Sequence, residues 1–117
     1  MKSGTDLVNE AKTRIPEMSA QEALATHAAG NATFLDVRDL QEVNLGRIPG
    51  AVHISRGNLE NKVEGVLSRE TTLVVYCGGG SRSALAADTL RQMGYTKVCS
   101  LAGGFRGWAE AGGDIDG

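Results

Sequence analysis

The 117 residues, 41% hydrophobic and 22% charged, suit one soluble globular domain and are too few for a second core. A net charge of −2 gives no global positive field for nucleic acid or an anionic membrane, so any selectivity for anions must be local. Two cysteines without a signal-like N-terminus make neither a disulfide framework nor a zinc site, and no run of about 18 apolar residues is present to span a bilayer. A reducing cytoplasm is the expected compartment, and it suits a working thiol.

In chain order, Asp6 to Ile15 is predicted as an amphipathic helix with Leu7, Val8, Ala11 and Ile15 on its apolar side and Thr5 or Asp6 as its cap. It forms an N-terminal helical extension over residues 1–16. Ser19 followed by Glu22 is a capping-box pattern, and the helix it opens should run to about Ala29 before Gly30. His27, near the end of that helix, is read as a surface residue facing the C-terminal dipole. Ala32 to Val37 is the next expected strand. Asp36 interrupts it, so a buried carboxylate there needs donors such as loop amides or Arg38, and the preferred role is a scaffold bond rather than catalysis. Arg38 and Glu42, spaced i, i+4, are expected to pair at the surface.

The turn cluster Gly46-Arg47-Ile48-Pro49-Gly50-Ala51 leads to a short strand at Val52-His53-Ile54. Arg47 is placed either at a pocket mouth or in solvent, and His53 is read as a hydrogen-bonded structural histidine. Asn58 to Leu67 is a weaker helical segment with Leu59, Val63, Val66 and Leu67 on its apolar side. Then Leu73-Val74-Val75-Tyr76 reads as a buried strand ending at Cys77, followed by Gly78-Gly79-Gly80-Ser81-Arg82-Ser83 and a helix from Ala84 to Met93.

Cys77 therefore sits at a strand-to-helix turn, where open α/β sheets place ligands. Three glycines let the loop curl and aim successive N–H groups at one point, and the helix terminus and Arg82 add positive charge there. Cysteines in such surroundings have pKa values roughly one to five units below the free value of about 8.5, so Cys77 is expected to be a thiolate at neutral pH. After Gly94, Lys97 to Leu101 is the last expected strand, and Cys99 inside it has no loop, helix or arginine beside it and is read as inert core. A turn at Ala102-Gly103-Gly104, a helix from Phe105 to Ala111 carrying Trp108, and a frayed tail at 113–117 complete the chain. Alternating strands and helices predict an α/β fold: a small, mostly parallel β-sheet with helices on both faces.

Four ordered landmarks resemble the single-domain rhodaneses, thiosulfate sulfurtransferases. They are Leu35-Asp36-Val37-Arg38 with Glu42; Gly46 to Ala51; Val74-Val75-Tyr76-Cys77 with Arg82-Ser83; and Leu101-Ala102-Gly103-Gly104 with Trp108. The resemblance spans about residues 17–112, the expected domain. Arg47 stands where that family often has histidine, and Val43 where an aromatic is common. The resemblance implies a Cys77 nucleophile that takes the outer sulfur of thiosulfate as a persulfide and passes it to cyanide or a thiol, such as that of a sulfur-accepting protein. It implies that the amides of Gly78, Gly79, Gly80, Ser81 and Arg82 and the hydroxyls of Ser81 and Ser83 hold the persulfide, that Arg82 orients the donor unless it ties to a neighbouring carboxylate, and that no metal or organic cofactor is needed. Asp36, Arg38 and Arg47 are supporting candidates.

The rivals are a cysteine-dependent phosphatase or arsenate reductase and a non-catalytic interaction module of the same fold. The phosphatase signature has five residues between cysteine and arginine, against Gly78 to Ser81 here. A nucleotide-binding loop is unsupported, because the Gly-Lys-Ser/Thr ending is missing.

Overall fold

The strand that leads to Cys77, β4 (Leu73–Tyr76), occupies the centre of a five-stranded sheet in the computed structural model, which describes all residues 1–117. The other strands are β1 (Glu17–Met18), β2 (Thr33–Asp36), β3 (Val52–His53) and β5 (Val98–Leu101). They lie in the order β1-β5-β4-β2-β3, and every pairing is parallel. All four residues of β4 are buried, which explains why it reads as a continuous apolar run rather than an alternating one.

The period of two along β4 divides the core. Leu73, Val75 and Cys77 join Ile15, Leu59, Val63, Ala86, Ala87 and Leu90 on one face, while Val74 and Tyr76 join Ala23, Phe34, Ile48 and Trp108 on the other. The first face is covered by α1 (Gly4–Arg14), α4 (Leu59–Val66) and α5 (Ser81–Gln92), and the second by α2 (Ala20–Ala29) and α6 (Gly104–Glu110). The expected α/β sheet with helices on both faces is therefore present. Chain continuing from β2 goes to β3 on one side, and chain continuing from β4 goes to β5 on the other, which opens a crevice at the carboxyl ends of these neighbours.

Several boundaries differ from those expected. α1 starts at Gly4 because Ser3 accepts from the Asp6 amide and Asp6 accepts from the Ser3 amide, so Ser3 is the cap rather than Thr5 or Asp6. Leu7 and Val66 are exposed, and the α1 contact rests on buried Ala11 and Ile15 with an Arg14–Asp88 ion pair to α5. Ser19 caps α2 as its sequence predicts, and Gly30 closes it in the left-handed conformation. β1 is too short to read from sequence, and a short α3 (Leu40–Asn44) takes in Glu42 but not Arg38. α5 begins at Ser81, three residues earlier than its apolar pattern suggests, since polar residues form its first turn.

His27 is half-buried rather than a surface residue at the helix end. Its Nε2 lies 2.8 Å from the Pro49 carbonyl, and its ring packs edge-on against Phe34 and Trp108. The C-terminal tail is hydrogen-bonded back onto the domain. Trp108 Nε1 donates to the Asp114 carbonyl at 2.7 Å, and Arg47 and Asp116 exchange two backbone hydrogen bonds.

Candidate active site

Gly80 turns the chain from β4 into α5 with a φ of +108°, a conformation that costs an L side chain strain. The turn folds the amides back onto the strand end. Gly80 N–H donates to Cys77 Sγ at 3.1 Å and Ser83 N–H donates at 3.3 Å, the latter being one of the helix-terminal donors that has no partner within α5. Ser83 Oγ lies 3.4 Å from the sulfur and 2.8 Å from Ser100 Oγ. Ser100 reaches this position because β5 pairs Ser100 with Val75, on the face of the sheet that carries Cys77.

Cys77 is only 1% exposed. Burial pushes its thiol pKa up, but the Ser83 hydroxyl and the amides of Ser83, Gly80 and Gly79 outweigh that and leave it below the usual value. Cys99 lacks such donors, and burial pushes it up to about 11. The two thiols should therefore separate in a titration followed by thiolate absorbance or by iodoacetamide alkylation. Cys77 should deprotonate first and Cys99 only in strong alkali, and one shared transition near the free-cysteine value would contradict the donor geometry.

A second layer holds the loop from outside. The carbonyls of Cys77 and Gly78 accept from the amides of Phe105 (2.7 Å) and Arg106 (3.2 Å) in the first turn of α6. This approach needs a glycine at 104, where a Cβ would lie 2.5 Å from the Cys77 oxygen. Above Gly78, Arg82 forms a two-pronged bond to Glu42, with Nη1–Oε1 at 2.7 Å and Nη2–Oε2 at 3.0 Å. The neighbouring carboxylate considered for Arg82 is thus present, with one Glu42 oxygen on each terminal guanidinium nitrogen. Arg38 is buried with Asp36. Its Nε and Nη2 hold both carboxylate oxygens, and Nη2 also donates to the Gly46 carbonyl at 2.7 Å. The expected surface pairing of Arg38 with Glu42 does not form, because Asp36 takes Arg38 inward and Arg82 takes Glu42.

The description of a rhodanese-like domain matches residues 19–111. The chain belongs to the rhodanese-like domain family. The thiosulfate sulfurtransferase GlpE of Tolumonas auensis is 31% identical over 96 residues, 82% of this chain and 90% of that protein. YrkF of Bacillus subtilis, named as a sulfur carrier, is 30% identical over 92% of this chain, which spans only 58% of YrkF. A solved structure from Rhodopseudomonas palustris, a protein of unknown function described as a possible tyrosine phosphatase, is 34% identical with a TM-score of 0.92, covering 99% of this chain and 96% of that one. The relatives named for sulfur chemistry support sulfur transfer as the general activity class of this rhodanese-like domain.

Of the residues singled out from sequence, the fold gathers Cys77, Gly79, Gly80 and Ser83 around the sulfur and places Gly78 and Arg82 beside it. Ser81 is exposed and makes no hydrogen bond to the sulfur. Arg47 is exposed as well, and its backbone clamps the tail. Asp36 serves as a scaffold bond, and His53 Nε2 lies 2.8 Å from the Arg38 carbonyl, a structural role of the kind its sequence context suggests. Ser100 and Gly104 are site residues to which the sequence assigned no role. A polar residue between Cys99 and Leu101 is the available signal for Ser100, whereas Gly104 is visible only as part of the Leu101–Gly104 landmark.

Arg82 holds the Glu42 carboxyl at about 2, well below the usual 4.5. A depressed carboxylate contributes stability that is fully present above the unfolded value and is lost as pH falls through the folded one. In this rhodanese-like domain the advantage of wild type over Glu42→Gln in urea unfolding should be constant above about pH 5 and shrink towards pH 2. A gap that widens on acidification would show that the pair does not act this way.

Proposed function

We propose that this rhodanese-like domain is a thiosulfate sulfurtransferase that works through a Cys77 persulfide. The Cys77 thiolate attacks the outer sulfur of thiosulfate, the S–S bond breaks, and sulfite leaves with the bonding pair. Cyanide then attacks the outer sulfur of the persulfide and leaves as thiocyanate, regenerating the thiolate; a thiol acceptor would leave as its own persulfide. Both half-reactions balance without metal, organic cofactor or oxidant, and each is a single nucleophilic displacement at sulfur.

The supporting observation is the pair of amides, Gly80 in the loop after Cys77 and Ser83 in the first turn of α5, aimed at one sulfur. Fixed N–H groups stabilise negative charge without reorganising, and removal of one such donor costs roughly 100- to 1000-fold in enzymes that depend on it. The buried Ser83–Ser100 hydroxyl pair adds a donor that can turn towards the thiolate or its persulfide. The reading takes a small sulfur donor, a cyanide or thiol acceptor, and a reducing compartment such as the cytoplasm; no helix here is long and apolar enough to cross a membrane.

The likeness to the Rhodopseudomonas palustris protein keeps phosphate ester hydrolysis as a second reading. A tetrahedral phosphate needs its outer oxygens spread around a ring of amides, and here the Gly80 amide of the loop and the Ser83 amide of the first turn of α5 already lie within 3.3 Å of the sulfur itself. Thiocyanate formation from thiosulfate and cyanide, measured beside hydrolysis of an aryl phosphate, separates the two. Sulfur transfer with negligible hydrolysis is expected, and robust Cys77-dependent hydrolysis without thiocyanate would replace this assignment by the phosphatase one.

A further inference from the structure

Ser100 puts a hydroxyl on an apolar face. It is fully buried in β5, on the side of the sheet that carries Leu73, Val75 and Val98, and it stands in register with Val75, two residues before Cys77. A polar side chain in such a place costs free energy unless it is bonded, and the partner of its hydroxyl is Ser83 Oγ at 2.8 Å. Ser83 is fully buried too, and its hydroxyl has one further neighbour, Cys77 Sγ at 3.4 Å. A short chain of polar atoms thus runs from Ser100 through Ser83 to the sulfur, and no other protein group bonds to either hydroxyl.

The chain has two links, and the number of protons on it depends on the state of Cys77. With Cys77 ionised, Ser83 O–H donates to the thiolate and Ser100 O–H donates to Ser83 Oγ, so each proton has an acceptor. With Cys77 protonated, a third proton enters the same two links, and one donor is left without a partner in a site closed to solvent. We propose that Ser100 is a positioning residue that fixes the direction of this chain, turning the Ser83 hydroxyl onto Cys77 Sγ as a donor and favouring the thiolate from a strand that does not touch the sulfur. Its use in catalysis rests on the sulfurtransferase reading above. Arg82 is the cation whose charge is felt at Cys77, and it is paired with Glu42; neither forms a hydrogen bond to Ser100, so substitutions at 100 leave that pair in place.

Thiolate absorbance titrates Cys77 without any sulfur donor, since Cys99 ionises only at about 11. Ser100→Ala should lower the acid dissociation constant of Cys77 about three- to tenfold, the worth of one hydrogen bond. Ser100→Thr keeps the hydroxyl and should recover most of the wild-type value. Ser100→Val has nearly the shape of threonine and should behave like Ser100→Ala, with melting temperatures reporting any change in packing separately. The decisive comparison removes Ser83. Acting through the Ser83 hydroxyl, Ser100→Ala should have no further effect on the constant when added to Ser83→Ala. An equal fall in both backgrounds marks a purely structural role, and that result, or a wild-type constant in Ser100→Ala, overturns the proposal. Persulfide loading from thiosulfate, followed by intact mass, should slow in Ser100→Ala by the same factor on the acid side of its pH profile. Wild-type protein that takes up no sulfur removes the sulfurtransferase reading and leaves the titration to decide the role of Ser100, whereas normal loading with an unchanged titration in Ser100→Ala removes only the positioning role.

Discussion

Replacing Cys77 with serine is expected to abolish sulfur loading and to lower thiocyanate formation by roughly four orders of magnitude or more. The wild-type protein exposed to thiosulfate should gain the mass of one sulfur atom, and dithiothreitol should remove it. The serine hydroxyl fits the same cradle, with the Gly80 and Ser83 amides still in place, but it is not ionised at neutral pH and forms no stable bond to a sulfane sulfur. The effect therefore isolates the nucleophile from the fold. Cys99→Ser supplies the comparison: its sulfur lies in β5 beside Val74, its thiol is pushed up to about 11, and its loss should change the rate by no more than a small factor. If the added sulfur persists in Cys77→Ser and disappears in Cys99→Ser, the nucleophile has been misassigned.

Gly104→Ala is expected to be a strongly damaging single-methyl change. The added Cβ would lie 2.5 Å from the Cys77 oxygen and 2.7 Å from the carbonyl carbon and oxygen of Gly78, all backbone atoms that cannot rotate away, and a φ of +57° adds strain of its own. Relief requires α6 and the cysteine loop to separate, which breaks the Phe105 and Arg106 hydrogen bonds to the Cys77 and Gly78 carbonyls. Overpacking and backbone strain together should cost about 2–4 kcal/mol, or roughly 10 °C in Tm for a domain of this size. The Cys77 pKa should rise at the same time, because the amides lose their aim. Gly79→Ala is the stability control, since a Cβ there meets nothing within 4 Å and the residue has an ordinary φ; it should stay within about 0.5 kcal/mol of wild type. Equal melting temperatures and equal thiol titrations for Gly104→Ala and wild type would refute the supporting role of α6.

The sequence by itself determined the parts of this protein that depend on neighbours along the chain. An apolar run bounded by glycines placed Cys77 at the end of a buried strand, Ser19 and Glu22 capped α2 as written, and three glycines followed by a helix specified a loop whose amides converge on the sulfur. Each of these follows from backbone freedom, capping and periodicity within about ten residues. The start of α5 is not visible in the same way, because apolar periodicity begins only where the helix meets the core, one turn inside its true end.

Tertiary structure decided which distant groups meet. Glu42 had two arginine partners open to it, Arg38 by spacing and Arg82 by proximity in space, and burial of Asp36 settled the choice. A carboxylate removed from water requires a cation, so Arg38 turns inward and Glu42 is left to Arg82, 40 positions away. Ser100 and Gly104 became part of the site through parallel pairing of β5 with β4 and the approach of α6 to the loop. Strand register and helix packing bring such residues together across long stretches of chain, and no local pattern records the contact, because each partner is an ordinary serine or glycine until the sheet is assembled.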